Sequence, residues 1–184
     1  MTNEQQDAPT ATITTPSDRE IHIERIFDAP RDRVFAVWTD PALIPEWYGP
    51  RGTTTIVDTM DVRSGGDWRF VSRGSDGSVT AFRGTYREVT APERIVQTFE
   101  WEDMPGHVAV ETATFEDLGE RTKVTTTAIF HTVEERDGML GSGMEGGMNE
   151  TYARLDELLA VEEHHRSARF AAAERHGTTD ARVP

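Results

Sequence analysis

The chain contains no cysteine among its 184 residues, which excludes a disulfide framework and any thiolate nucleophile or thiolate metal ligand. Basic residues are scarce as well. Lys and Arg number 19 against 33 Asp and Glu, a formal net charge of -14, and so acid a chain is a poor match for a phosphate backbone or an anionic membrane, both of which are bound through basic side chains. Neither nucleic acid nor a membrane is expected as partner. No apolar run reaches the length of a membrane span, and Met1 to Arg19 lacks the hydrophobic segment of a secretory signal. The expectation is a cytoplasmic protein. Lys123 is the only lysine, and this preference for Arg, with abundant Ala, Gly, Thr and Asp, suggests a GC-rich genome such as an actinobacterium's.

What remains is enough for one folded unit. Hydrophobic residues make up 36% of the chain, so a single sizeable core is expected and a second domain is not. Three segments are expected: a disordered arm over 1–18, rich in Thr, Gln, Pro and acid; a folded domain over 19–162; and a polar extension over 163–184.

The pattern within the domain changes period. A strand ending at Glu24-Arg25-Ile26-Phe27 is followed by two short helices, the first starting at Pro30 and the second at Asp40-Pro41, where proline and a capping carboxylate suit a helix start. Val34, Phe35 and Trp38, then Leu43, Ile44 and Trp47, give each helix an apolar face. Strands are predicted over Thr53 to Val62, Trp68 to Arg73, Val79 to Glu88, Ile95 to Trp101, His107 to Glu116 and Thr122 to His131, with a hairpin turn at Asp76-Gly77. Connections this short force antiparallel neighbours. The fold class is therefore α+β, a curved antiparallel meander closed by a long C-terminal helix whose stripe is Met144, Met148, Thr151, Tyr152, Leu155, Leu158 and Leu159. One straight helix cannot pack flush along a curved sheet, so a cavity is expected between them.

Arg25-Ile26-Phe27-Asp28-Ala29-Pro30, Trp38-Thr39-Asp40-Pro41, Trp47-Tyr48-Gly49-Pro50, Gly65-Gly66-Asp67-Trp68-Arg69-Phe70, Phe82-Arg83-Gly84-Thr85-Tyr86, Pro92-Glu93-Arg94-Ile95-Val96 and Gly143-Met144-Glu145-Gly146-Gly147 follow one another in order. On these segments the chain resembles the helix-grip (SRPBCC) superfamily of START, Bet v-like and polyketide-cyclase-like proteins. Within it, the chain is similar to the bacterial subgroup homologous to the activator of the heat shock protein ninety ATPase. The resemblance covers roughly residues 20 to 160. It implies a cavity for a lipophilic small molecule, in a monomer or weak dimer. Members of the superfamily also include polyketide cyclases, co-chaperone-like proteins and antibiotic-resistance proteins. Some of the last are sacrificial, an enediyne-derived diradical abstracting a backbone hydrogen.

The candidate ligand-binding residues are Trp68, Phe70, Phe82, Tyr86, Phe99 and Trp101 on the sheet, with Met139, Met144, Met148 and Tyr152 on the helical side. Aromatic faces stack on flat ligands and methionine adapts to varied apolar guests. Trp38 is read instead as the anchor of its own helix. Should the cavity house a cyclisation, His131 and Tyr86 are the candidate proton-transfer groups. Glu134-Glu135 and Glu162-Glu163 read as solvated charge, and His164, His165 and His176 lack the spacing of a closed metal site, so neither metal nor cofactor is expected. Gly141-Ser142-Gly143-Met144-Glu145-Gly146 matches a dinucleotide-binding pattern in letters only, for no parallel strand and helix unit surrounds it. The five glycines from Gly138 to Gly147 read as a hinge beside the cavity.

Overall fold

Alternating Ile21, Ile23 and Phe27 put an apolar edge on one face of a strand, and the same period of two recurs along the chain. The computed structural model describes residues 10–176, and its strands are β1 (Thr12–Thr14), β2 (Glu20–Phe27), β3 (Thr53–Met60), β4 (Asp67–Gly74), β5 (Val79–Thr90), β6 (Arg94–Trp101), β7 (Val108–Asp117) and β8 (Thr122–Ile129). They form a single antiparallel sheet in the order β1-β2-β8-β7-β6-β5-β4-β3. The run β3 to β8 is the expected meander, and β2 adds to β8 in the register Ile23↔Thr126. Register shifts between Val57 and Thr59 and between Tyr86 and Glu88 bend the strands that carry them, as bulges do.

The helices α1 (Arg31–Thr39) and α2 (Ile44–Trp47) join β2 to β3. Pro30 precedes the first helical residue with φ -60 and ψ 150, so it is the cap of α1 and not its first residue. Asp40 Oδ1 accepts from the Ala42 N–H at 2.9 Å, holding the turn that leads into α2. The closing segment is two helices, α3 (Val133–Gly141) and α4 (Met144–His176). Gly138 and Gly141 lie within α3, Gly146 and Gly147 within α4, and only Gly143, at φ +82, breaks the run. The expected hinge is thus reduced to the two residues Ser142 and Gly143 between the helices. Leu155 and Leu159 of α4 are buried against the sheet, and Tyr152 meets Phe27 edge to face at 5.4 Å.

The reading of residues 1–18 as an unstructured arm is corrected at β1. Thr-Ile-Thr pairs with β2 through Ile13↔Ile23, Ile13 packs against the core, and the Ala11 N–H donates to Asn149 Oδ1 at 3.0 Å. The two short helices therefore follow the second strand. Glu135 is corrected as well, since its carboxylate accepts from the backbone N–H of His131 and Thr132 while the Thr132 side chain accepts from Glu135 N–H, a capping box that starts α3. The extension expected over 163–184 is helical as far as His176; residues 177–184 lie outside the described part.

Candidate functional site

Because the sheet bends away from α4, the expected gap is present: a cavity of about 490 Å³ between the concave face of β2 to β8, the α2 corner and the start of α4. Rings line it in a connected series. Phe82 stacks on Phe99 at 5.2 Å, Phe99 neighbours Trp68 at 6.1 Å, Trp68 meets Phe70 at 5.1 Å and Phe70 meets Tyr48 at 5.1 Å. On the far side Trp38 lies 4.9 Å from Trp47 and 6.2 Å from Tyr152. Met139, Met144 and Met148 face the same space from α3 and α4.

Nine of the sequence-predicted residues are therefore brought together: Trp68, Phe70, Phe82, Tyr86, Phe99, Met139, Met144, Met148 and Tyr152 all border the cavity. Trp101 does not. It sits opposite Phe82 in register, but at the end of β6, where the strand has run past the cavity wall; the residue is 37% exposed and its indole N–H donates to Asp103 Oδ2 at 3.1 Å. His131 is also outside, exposed in the turn before α3, with its carbonyl accepting from Arg19 Nη1 at 3.3 Å. Its position after a strand end suited a catalytic group; the chain there turns outward to form the capping box. Trp38, assigned to anchoring α1, borders the cavity.

Trp47, Tyr48 and Met60 border the cavity as well without having been predicted, and so do polar residues. Glu111 points inward from the middle of β7, in step with Ala109, Ala113 and Phe115, and its Oε2 accepts from Gln97 Nε2 at 3.1 Å. An acid on the buried side of an alternating strand was the available signal. Removal from water pushes the Glu111 carboxyl above its ordinary value, and the Gln97 hydrogen bond offsets only part of this. Burial also raises the phenols: Tyr152 is pushed up to about 12 despite its hydrogen bond with Thr126, and Tyr48 and Tyr86 are raised further. The Glu111 charge adds to the effect on Tyr48 and Tyr152, which places the three groups close together. At neutral pH the tyrosines, Tyr86 included, are hydrogen-bonding neutral groups and not bases. Glu111 is the one carboxyl that borders the cavity among the described residues, and burial favours its neutral form.

Beside the cavity α4 is tied to the α2 corner by Arg154, whose guanidinium donates to the carbonyls of Gly49 at 2.8 Å, Glu46 at 2.9 Å and Pro45 at 3.1 Å. One side chain of α4 thereby satisfies the carbonyls at the end of α2 that no helical N–H reaches.

The family model described as Activator of Hsp90 ATPase homolog 1-like protein matches residues 28–160, which span α1, α2, β3 to β8, α3 and the first half of α4. The chain belongs to that family. A similar fold is seen in a crystal structure of a protein from Rhodobacter sphaeroides, 25% identical, with a TM-score of 0.78 over 83% of this chain and 99% of that one. A solution structure from Arthrobacter aurescens is 26% identical, with a TM-score of 0.75 over 81% of this chain and 91% of the other. The AHSA1 protein from Silicibacter pomeroyi, at 22% identity and a TM-score of 0.66 over 78% of this chain and 99% of its own, shares the fold. No curated protein is similar enough in sequence to match. The AHSA1-like architecture is the helix-grip one, a general ligand-binding scaffold.

Proposed function

We propose that this protein binds a hydrophobic, aromatic or polyketide-like small molecule in the cavity between the sheet and α4. The observation that carries the reading is the lining: about 490 Å³ walled by a connected series of aromatic rings and by four methionines, Met60 among them, with little polar surface. That volume is in the range of drug-sized ligand sites, and a few polar atoms among many apolar ones suit orientation of a flat guest. Trp68, Phe70, Phe82, Phe99 and Tyr86 form the sheet wall, Met139, Met144, Met148 and Tyr152 the helical wall.

Heteronuclear NMR of the labelled full chain against naphthol, a flavonoid, a fatty acid and an aromatic polyketide tests this. Saturable shifts at Trp68, Phe82, Phe99 and the segment from Met139 to Tyr152 are expected. Absence of shifts with every probe would overturn the reading and leave a protein partner as the better one.

Sequestration of an antibiotic is the narrower form of this function. Gly49 and Gly147 border the cavity, so a reactive guest such as an enediyne would meet unhindered backbone Cα hydrogens. Incubation with an enediyne and a thiol, followed by mass spectrometry, should give scission at one of these glycines; an intact chain removes the narrower form only.

A further inference from the structure

The cavity is unbalanced in charge. Among the described residues Glu111 is the one acid that borders it, and no Lys, Arg or His does. Keeping a carboxyl in such surroundings without a cation costs stability, because the ionised form loses water and gains only a neutral amide, here that of Gln97. An apolar residue would serve the core better at this point of β7, as Ala109 and Ala113 do on either side. The tolerated cost points to a role in binding.

The surroundings say what that role is. Aromatic faces present the negative side of their quadrupole to a guest, and a cation placed over them is attracted, more strongly where water is absent. A carboxylate among them supplies the full countercharge and a charge-assisted hydrogen bond. Resting on the reading that the cavity takes a lipophilic small molecule, we infer that its ligand is an aromatic molecule carrying one basic amine, held as the ammonium with Glu111 as counter-ion. A carboxylate ligand would meet like charge and no donor cation. A neutral ligand would leave Glu111 as it is in the free protein.

Binding would draw Glu111 into its ionised form, releasing to solvent whatever proton it held, so affinity for the amine rises with pH until the amine itself deprotonates. The groups facing Glu111 do not confuse the signal: Gln97 on β6 and Thr126 on β8 do not titrate, and Tyr48 after α2, Tyr86 on β5 and Tyr152 on α4 stay neutral across this range.

The test measures dissociation constants of the full chain for naphthylmethylamine, naphthylmethanol and naphthoic acid by calorimetry or tryptophan fluorescence. The amine should bind about tenfold or more tighter than the alcohol, with the acid weakest. Glu111→Gln should bring the ratio of amine to alcohol affinity close to one. In the unaltered protein the same ratio should grow as pH rises above 4.5, the ordinary value of the carboxyl, a readout that needs no variant. An alcohol that binds as tightly as the amine overturns the inference and leaves the cavity reading standing. So does an amine preference that survives Glu111→Gln, since the net charge of -14 would then be its source. Failure of all three probes to bind overturns both.

Discussion

Gln97 and Glu111 are register partners across β6 and β7, and the amide of one donates to the carboxyl of the other at 3.1 Å inside the cavity. A neutral amide is all that this strand pair offers to a carboxyl held out of water.

The pairing sets a pH dependence of stability. The ordinary value for the Glu111 carboxyl is 4.5, and burial raises it in the folded state. As pH rises through the window between the two values, the unfolded chain gives up its proton while the folded one retains it, so stability falls and then levels off. Glu111→Gln removes that loss. Above that window the variant should be the more stable protein, and the difference should disappear below pH 4.5, as thermal melts on either side would show.

Arg154→Met keeps most of the side-chain length and removes the donors to Pro45, Glu46 and Gly49. The carbonyls at the end of α2 are then left without partners, and a loss of about 2–3 kcal/mol in denaturant unfolding is expected.

Two glycines should respond in opposite directions to alanine. A Cβ at Gly84 would collide with the Thr98 carbonyl oxygen and stand 2.6 Å from Trp68 Nε1, so Gly84→Ala should lower the melting temperature sharply by forcing β5 off β6. At Gly146, inside α4, a Cβ meets nothing within 4 Å. Gly146→Ala should stabilise by roughly 0.5–1 kcal/mol.

Trp101 and Phe99 provide a control for the cavity. Phe99→Ala removes a ring from the stacked series and should weaken binding of naphthylmethanol by about tenfold. Trp101→Ala, at an exposed strand end, should change it by less than about twofold, measured by the same titration.

The sheet and the helices were legible in the chain because their signals are local. Period-two alternation from Thr53 to Ile129, the Asp76-Gly77 turn and the apolar stripe from Met144 to Leu159 each depend on backbone geometry within a few residues. The strand β1 escaped notice because three residues are too few to show a period; its pairing comes from Ile13 meeting Ile23 and Ala11 meeting Asn149. The contents of the cavity are another matter. Phe99 and Trp101 share a face of one strand, yet only Phe99 borders the cavity, because the strand outruns the wall. Glu111, Tyr48 and Trp38 come from β7, the α2 corner and α1, and no local pattern relates them. The sequence by itself determined which elements form and in what order, since each depends on neighbours along the chain. Only the tertiary structure decided which side chains share the cavity and that an acid stands among them without a cation, since a cavity is the space that curved and straight elements fail to fill.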